Sequence, residues 1–172
     1  MKRTLLITAL VLGTTIGATG TASSQTMRTD SLSPHIVRFN ENVFGVGLAA
    51  SLCSGMGLSF KHHLANIPFA YQLTGGVIKL GDVLHYSIGS EFQYDLSVAT
   101  TNRLYAVLGL GEYYDGSDHN ERLSPFRFGV GVGYEMAQSN AIGLSLNLMI
   151  TDFTGDGTIL PLPSVGVHYY FK

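Results

Sequence analysis

The segment Phe126-Arg127-Phe128-Gly129-Val130-Gly131-Val132-Gly133-Tyr134-Glu135-Met136 decides how the chain is read. Successive side chains of a β-strand point to opposite faces. One face here therefore carries Phe126, Phe128, Val130, Val132, Tyr134 and Met136. The other carries Arg127, three glycines and Glu135. A soluble sheet rarely backs an apolar face with one made mostly of glycine. A narrow barrel turned inside out, apolar outward and small or polar inward, requires that pairing.

The same alternation recurs along the chain at the spacing of an all-β barrel. Eight strands are expected, at about 43–51, 56–63, 69–79, 84–96, 103–114, 126–136, 141–151 and 159–171. The seventh sets Ile142, Leu144, Leu146, Leu148 and Ile150 against Gly143, Ser145, Asn147 and Met149. The fourth sets Leu84, Tyr86, Ile88, Phe92, Tyr94 and Leu96 against His85, Ser87, Gly89, Glu91, Gln93 and Asp95. An even number of antiparallel strands brings both ends of the chain to one rim. The polar stretches 115–124 and 152–158 are expected as long loops on the opposite rim.

Two arguments turn the apolar face outward. Eight strands enclose a lumen that modest side chains fill, and four or five bulky residues per strand would overfill it. The second argument is charge. Lys61, Arg103 and Arg127 fall on the inner face with Glu91, Asp95 and Glu135. Equal numbers of each sign suit a dry interior, where an unpaired charge is costly. These six form the expected lumenal charge network, and a barrel filled in this way is not a pore. Tyr71, Tyr94, Tyr134, Tyr169 and Phe171 lie outward near strand ends, where aromatic residues meet the membrane interface.

Composition agrees. Charged residues make up 13% of the 172, against roughly 25% in soluble domains. No apolar run in the body is long enough for a membrane-spanning helix. Lys2 and Arg3, the apolar run Leu5 to Gly13 and the small residues Ala22-Ser23-Ser24 read as a secretory signal peptide over 1–24. Residues 25–42 read as a periplasmic lead-in and 43–172 as the barrel. Removing the leader takes away two basic residues and no acidic one, leaving a chain more acidic than the formal net charge of −2. The single cysteine, Cys53, can form no intramolecular disulfide and falls in a turn, Ser51-Leu52-Cys53-Ser54-Gly55, as a space-filling thiol. Nothing resembles a nucleic-acid surface or a phosphate-cradling loop.

With these strands in place, the chain resembles the small eight-stranded outer-membrane barrel proteins of Gram-negative bacteria, the OmpX-type, porin-like group. The resemblance covers 43–172 and rests on the leader, the eight alternating strands, the run Gly129-Val130-Gly131-Val132-Gly133 and the aromatic last strand. Members end in an aromatic residue that the barrel-assembly machinery reads; here Phe171 is penultimate, before Lys172. The resemblance implies an all-β, antiparallel up-and-down transmembrane β-barrel in the outer membrane, a fold and a location but not an activity.

Catalysis has one candidate. His85, Ser87 and Glu91 share a face, and outer-membrane lipid A deacylases are similar in pairing His-x-Ser with an acidic residue. The wider Ser-Asn-Ala-Gly motif of those enzymes is absent, since Ile88-Gly89 follows Ser87. The three are therefore read as lumen filling, with a lipid A hydrolase as the alternative. A soluble barrel holding a small apolar ligand is the other alternative. Asp115, Asp118, His119 and Glu121 match no metal-loop spacing and are read as solvated. The expectation is a monomeric, non-enzymatic barrel without cofactor or metal. It would contact outer-membrane lipid and no nucleic acid, and loops 115–124 and 152–158 would be free to meet an extracellular ligand.

Overall fold

The computed structural model describes residues 39, 41–64, 67–81, 83–117, 120–123, 126–139, 141–153 and 158–171. The expected signal peptide and most of the lead-in lie outside them. The described chain is all β: β1 (Val43–Ser51), β2 (Gly55–Leu64), β3 (Phe69–Leu80), β4 (Val83–Val98), β5 (Asn102–Ser117), β6 (Asn120–Leu123), β7 (Arg127–Ser139), β8 (Ile142–Phe153) and β9 (Thr158–Phe171). Neighbours run in the order β4-β3-β2-β1-β9-β8-β7-β5, all antiparallel, and a β4–β5 pairing closes the ring. Eight strands thus form a closed barrel.

The additional strand, β6, corrects the expectation of a long loop over 115–124. β5 continues to Ser117, and β6 folds back on it from Tyr114↔Leu123 to Ser117↔Asn120, so this connection is a hairpin standing on the rim. The stretch Asn120-Glu121-Arg122-Leu123 carries no apolar alternation, which is why the pattern did not reveal it.

Burial is inverted relative to a soluble protein. In the segment that decided the fold, Phe128, Val130, Val132, Tyr134 and Met136 are exposed, while Gly129, Gly133 and Glu135 are buried. The largest fully buried side chains include Arg103, Lys61, His63, His168, Glu91 and Glu135. The outward apolar row of β8 runs from Ile142 to Ile150, ending at Asp152. That row covers about 27 Å along the strand, or about 20 Å along the barrel axis at a tilt of roughly 40°, close to the apolar band of outer-membrane barrels.

One stretch of wall is shorter than the rest. β1 pairs with β9 only up to Ser51↔Ser164, although β9 begins at Thr158. β2 pairs with β3 only from Leu58↔Gly75, although β3 continues, paired with β4, to Leu80. Gly55 (φ 97°) and Gly57 (φ 131°) bend the start of β2 inward through backbone angles that favour glycine. Above Ser164, β9 has a neighbour on one side only, an edge position that accepts Pro161 and Pro163.

Candidate functional site

The lumen is a stack of polar and aromatic groups with a different plug at each end. Near the rim that carries the chain ends, Glu135 of β7 is the hub. Its carboxylate accepts from Lys61 Nζ at 3.2 Å on both oxygens, and from Arg103 Nε at 2.9 Å and Nη2 at 2.7 Å. Arg103 and Glu135 are direct cross-strand partners, so the ion pair follows from register alone. Arg103 Nη1 also meets Asp95 at 2.7 Å, and its Nη2 donates to Gln93. The Tyr170 hydroxyl donates to Glu135 as well. Below this hub, Phe39 is buried against Val43 and Tyr170, with its ring 5.2 Å from that of His63.

At mid-height Glu91 is held, among the described residues, by hydrogen bonds from neutral side chains. It accepts from Ser54 Oγ at 2.6 Å, Gln93 Nε2 at 3.0 Å and Asn147 Nδ2 at 3.0 Å. Tyr105 donates to Asn147 at 2.6 Å, and the Arg103 guanidinium lies 4.2 Å over the Tyr105 ring.

The upper end is closed by main chain. The turn at residues 52–54 between β1 and β2 folds into the barrel, and Cys53 and Ser54 are buried. The Ser51 hydroxyl accepts from Cys53 N and Ser54 N, both at 3.1 Å, which tightens the turn. The Tyr113 hydroxyl accepts from Gly55 N at 2.8 Å and donates to the Ser51 carbonyl. Glycines of the wall provide the room. A Cβ at Gly129 would stand 2.7 Å from Cys53 Sγ, and Cβ atoms at Gly111 and Gly89 would collide with the carbonyls of Cys53 and Ser54.

Of the six charged residues expected to act together, Lys61, Asp95, Arg103 and Glu135 are joined by ion pairs. Glu91 connects to them through Gln93. Arg127 departs from the expectation. It sits at the top of β7, donates to the Leu52 carbonyl at 2.7 Å, and covers the rings of Tyr113 (3.9 Å) and Phe153 (4.8 Å). It clamps the turn instead of neutralising the hub.

The catalytic alternative finds no shared geometry. His85 and Glu91 are six residues apart on one strand, about 20 Å between their Cα atoms. The Ser87 hydroxyl accepts from Met56 N at 2.9 Å and donates to Met56 O at 3.1 Å, which ties it to β2. Among the described residues no group of His, Cys, Asp and Glu could hold a metal ion. Asp118 and His119 lie outside those residues.

Tyr71, Tyr94, Tyr134, Tyr169 and Phe171 all face outward on the half of the wall nearest the chain ends. They continue into Phe44, which stacks on His62 at 4.2 Å and lies 6.1 Å from Phe171. His62 meets Tyr71 edge-on at 5.4 Å. On the opposite half Tyr86 stacks on Tyr114 at 5.0 Å.

The sequence reading missed three inward aromatic residues: Phe39, Tyr113 and Tyr170. A signal was present at two of them. In the doublets Tyr113-Tyr114 and Tyr169-Tyr170, alternation forces one ring inward.

No family model matches the sequence, and no curated protein matches it. Solved structures do. The N-terminal β-barrel domain of Pseudomonas aeruginosa OprF is similar with a TM-score of 0.53 at 15% identity, over 76% of this chain and 96% of that one. The attachment invasion locus protein Ail of Yersinia pestis has a TM-score of 0.43 at 12% identity over 76% and 96%. Neisserial surface protein A has 0.36 at 20% over 75% and 91%. The fold is that of the eight-stranded outer-membrane β-barrels.

Proposed function

We propose that the chain is an exported, non-enzymatic integral outer-membrane protein. Its body is a closed support, and its role is structural or adhesive through the surfaces on the far rim. The carrying observation is that, among the described residues, both ends of the lumen are occupied. Phe39 and the Glu135 hub occupy the terminal end, and the inturned turn at residues 52–54 occupies the other. A lumen of this width plugged at both ends supports neither conduction nor solute binding, so the β5–β6 hairpin and the connection after β8 are left to interact.

In this reading the leader 1–24 is cleaved on export, the barrel-assembly machinery inserts the chain, and the protein is a monomer in contact with outer-membrane lipid. The test begins with the full-length precursor. It should fractionate with outer membranes, migrate differently in gels before and after boiling, and be cut by external protease at the β5–β6 hairpin. Recovery in a soluble fraction, without a heat-dependent shift, would overturn the proposal. Ser87→Ala should leave lipid A unchanged by mass spectrometry while lowering barrel stability by about 0.5–1.5 kcal/mol, because one hydroxyl bridge to β2 is lost. A change in lipid A acylation would restore the hydrolase.

A further inference from the structure

The inward bend of β2 leaves a mark on the outer surface. Where β2 parts from β3 at Leu58↔Gly75, the wall opens into a cleft of about 380 Å³ on the side expected to face lipid. Its sides are the outward residues Val46, Leu58, Phe60, Leu73 and Ile88. Leu58 is 72% exposed, the largest value among the exposed large hydrophobic residues. The floor is closed to polar ligands. The Thr74 hydroxyl donates to Ser59 Oγ at 3.2 Å, and Ser59 Oγ also meets His168 Nε2 at 2.9 Å. These hydroxyls are engaged with each other and with the lumen, so the cleft offers an occupant apolar walls and little else.

A charge stands above it. Leu73, Val77 and Lys79 lie on the outward face of β3 in ascending order, and Lys79 is exposed near the rim. From Leu73 to Lys79 is about 20 Å along the strand, or roughly 15 Å along the barrel axis. That is the arrangement a bilayer lipid presents, with an extended apolar chain below and a phosphate at the interface.

We infer that this cleft is a specific lipid site. It takes one acyl chain of an anionic outer-leaflet lipid, and Lys79 holds that lipid's phosphate. The inference rests on the bilayer placement proposed above. It adds that the lipid shell is not uniform: one position on the wall selects by charge and shape.

The chain contains no tryptophan, so a single introduced Trp reports its own surroundings. Phe60→Trp places the probe in the cleft, and Leu146→Trp places it on the outward face of β8. Each folded full chain is reconstituted in phosphatidylcholine bilayers and titrated with phosphatidylglycerol brominated on its acyl chains. Phe60→Trp should be quenched at about fivefold lower mole fraction of the anionic lipid than Leu146→Trp, the preference one lysine at an interface supplies. Lys79→Ala should erase that difference without preventing quenching. Equal titrations for the two probes, or a preference that survives Lys79→Ala, would overturn the site. So would a cleft probe shielded from brominated phosphatidylcholine, since that would mean a second copy of the chain covers it. If Leu146→Trp itself escapes every brominated lipid, the bilayer placement fails, and the inference with it.

Discussion

The two halves of the lumen solve one packing problem with different materials. The terminal half is filled by long side chains reaching inward from the wall: Lys61, Arg103, Glu135 and Tyr170. The far half is filled by main chain, a turn folded into space that glycines leave empty. The contrast shows that a small inner face has two uses. Where an ion pair spans the lumen, small residues give room for charged side chains. Where the wall residues are glycine on several adjacent strands, they give room for backbone.

The largest expected effect breaks the terminal half alone. Glu135→Leu leaves Lys61 and Arg103 buried beside each other without their shared carboxylate. It should cost about 3–5 kcal/mol, measured as a lowered urea midpoint for the heat-modifiable gel shift. Cys53 should remain inert to maleimide in the folded variant, because the turn keeps its own hold on the Ser51 hydroxyl, Tyr113 and Arg127.

Gly111→Val reverses the pattern. Its side chain would collide with the Cys53 carbonyl and push the turn out of the barrel. The expected cost is about 1–3 kcal/mol, and Cys53 should now label while the barrel stays folded. A buried, unlabelled Cys53 in this variant would contradict the glycine cradle. Tyr113→Phe is the mildest change. It removes the hydroxyl that joins the Ser51 carbonyl to the Gly55 amide and should cost about 1 kcal/mol. Cys53 should label faster than in the parent chain and more slowly than in Gly111→Val.

Much of the terminal half was legible in the sequence. Arg103, Glu135 and Lys61 stand out because charge is scarce on this chain and each falls on the inner parity of its strand. Parity needs only local pattern, and local pattern is what alternation encodes. Arg127 shows the limit. Its parity is also inward, but its partner is a carbonyl on a turn that comes from the other end of the sequence. No local signal predicts that approach. The inturned turn was legible only as a turn, since Ser51 to Gly55 say nothing of which way the hairpin leans. The cleft on the outer wall was hidden for the same reason: it exists because β2 and β3 diverge.

Alternation alone has a further weakness that the buried tyrosines remove. Sliding one strand against its neighbour by two residues keeps every apolar residue outward and every small one inward, so the two-residue period cannot choose among such registers. Gly45 is the direct cross-strand partner of Tyr170, and Gly133 is that of Tyr105. A Cβ at Gly45 would stand 2.7 Å from the Tyr170 ring, and one at Gly133 would collide with Tyr105. Each ring lies over the gap its partner leaves, and a two-residue slip would move it onto a different residue. The tyrosine–glycine pairs therefore act as index marks on the sheet. One pair fixes the alignment of β5 with β7, and the other fixes the seam where the first strand of the barrel meets the last.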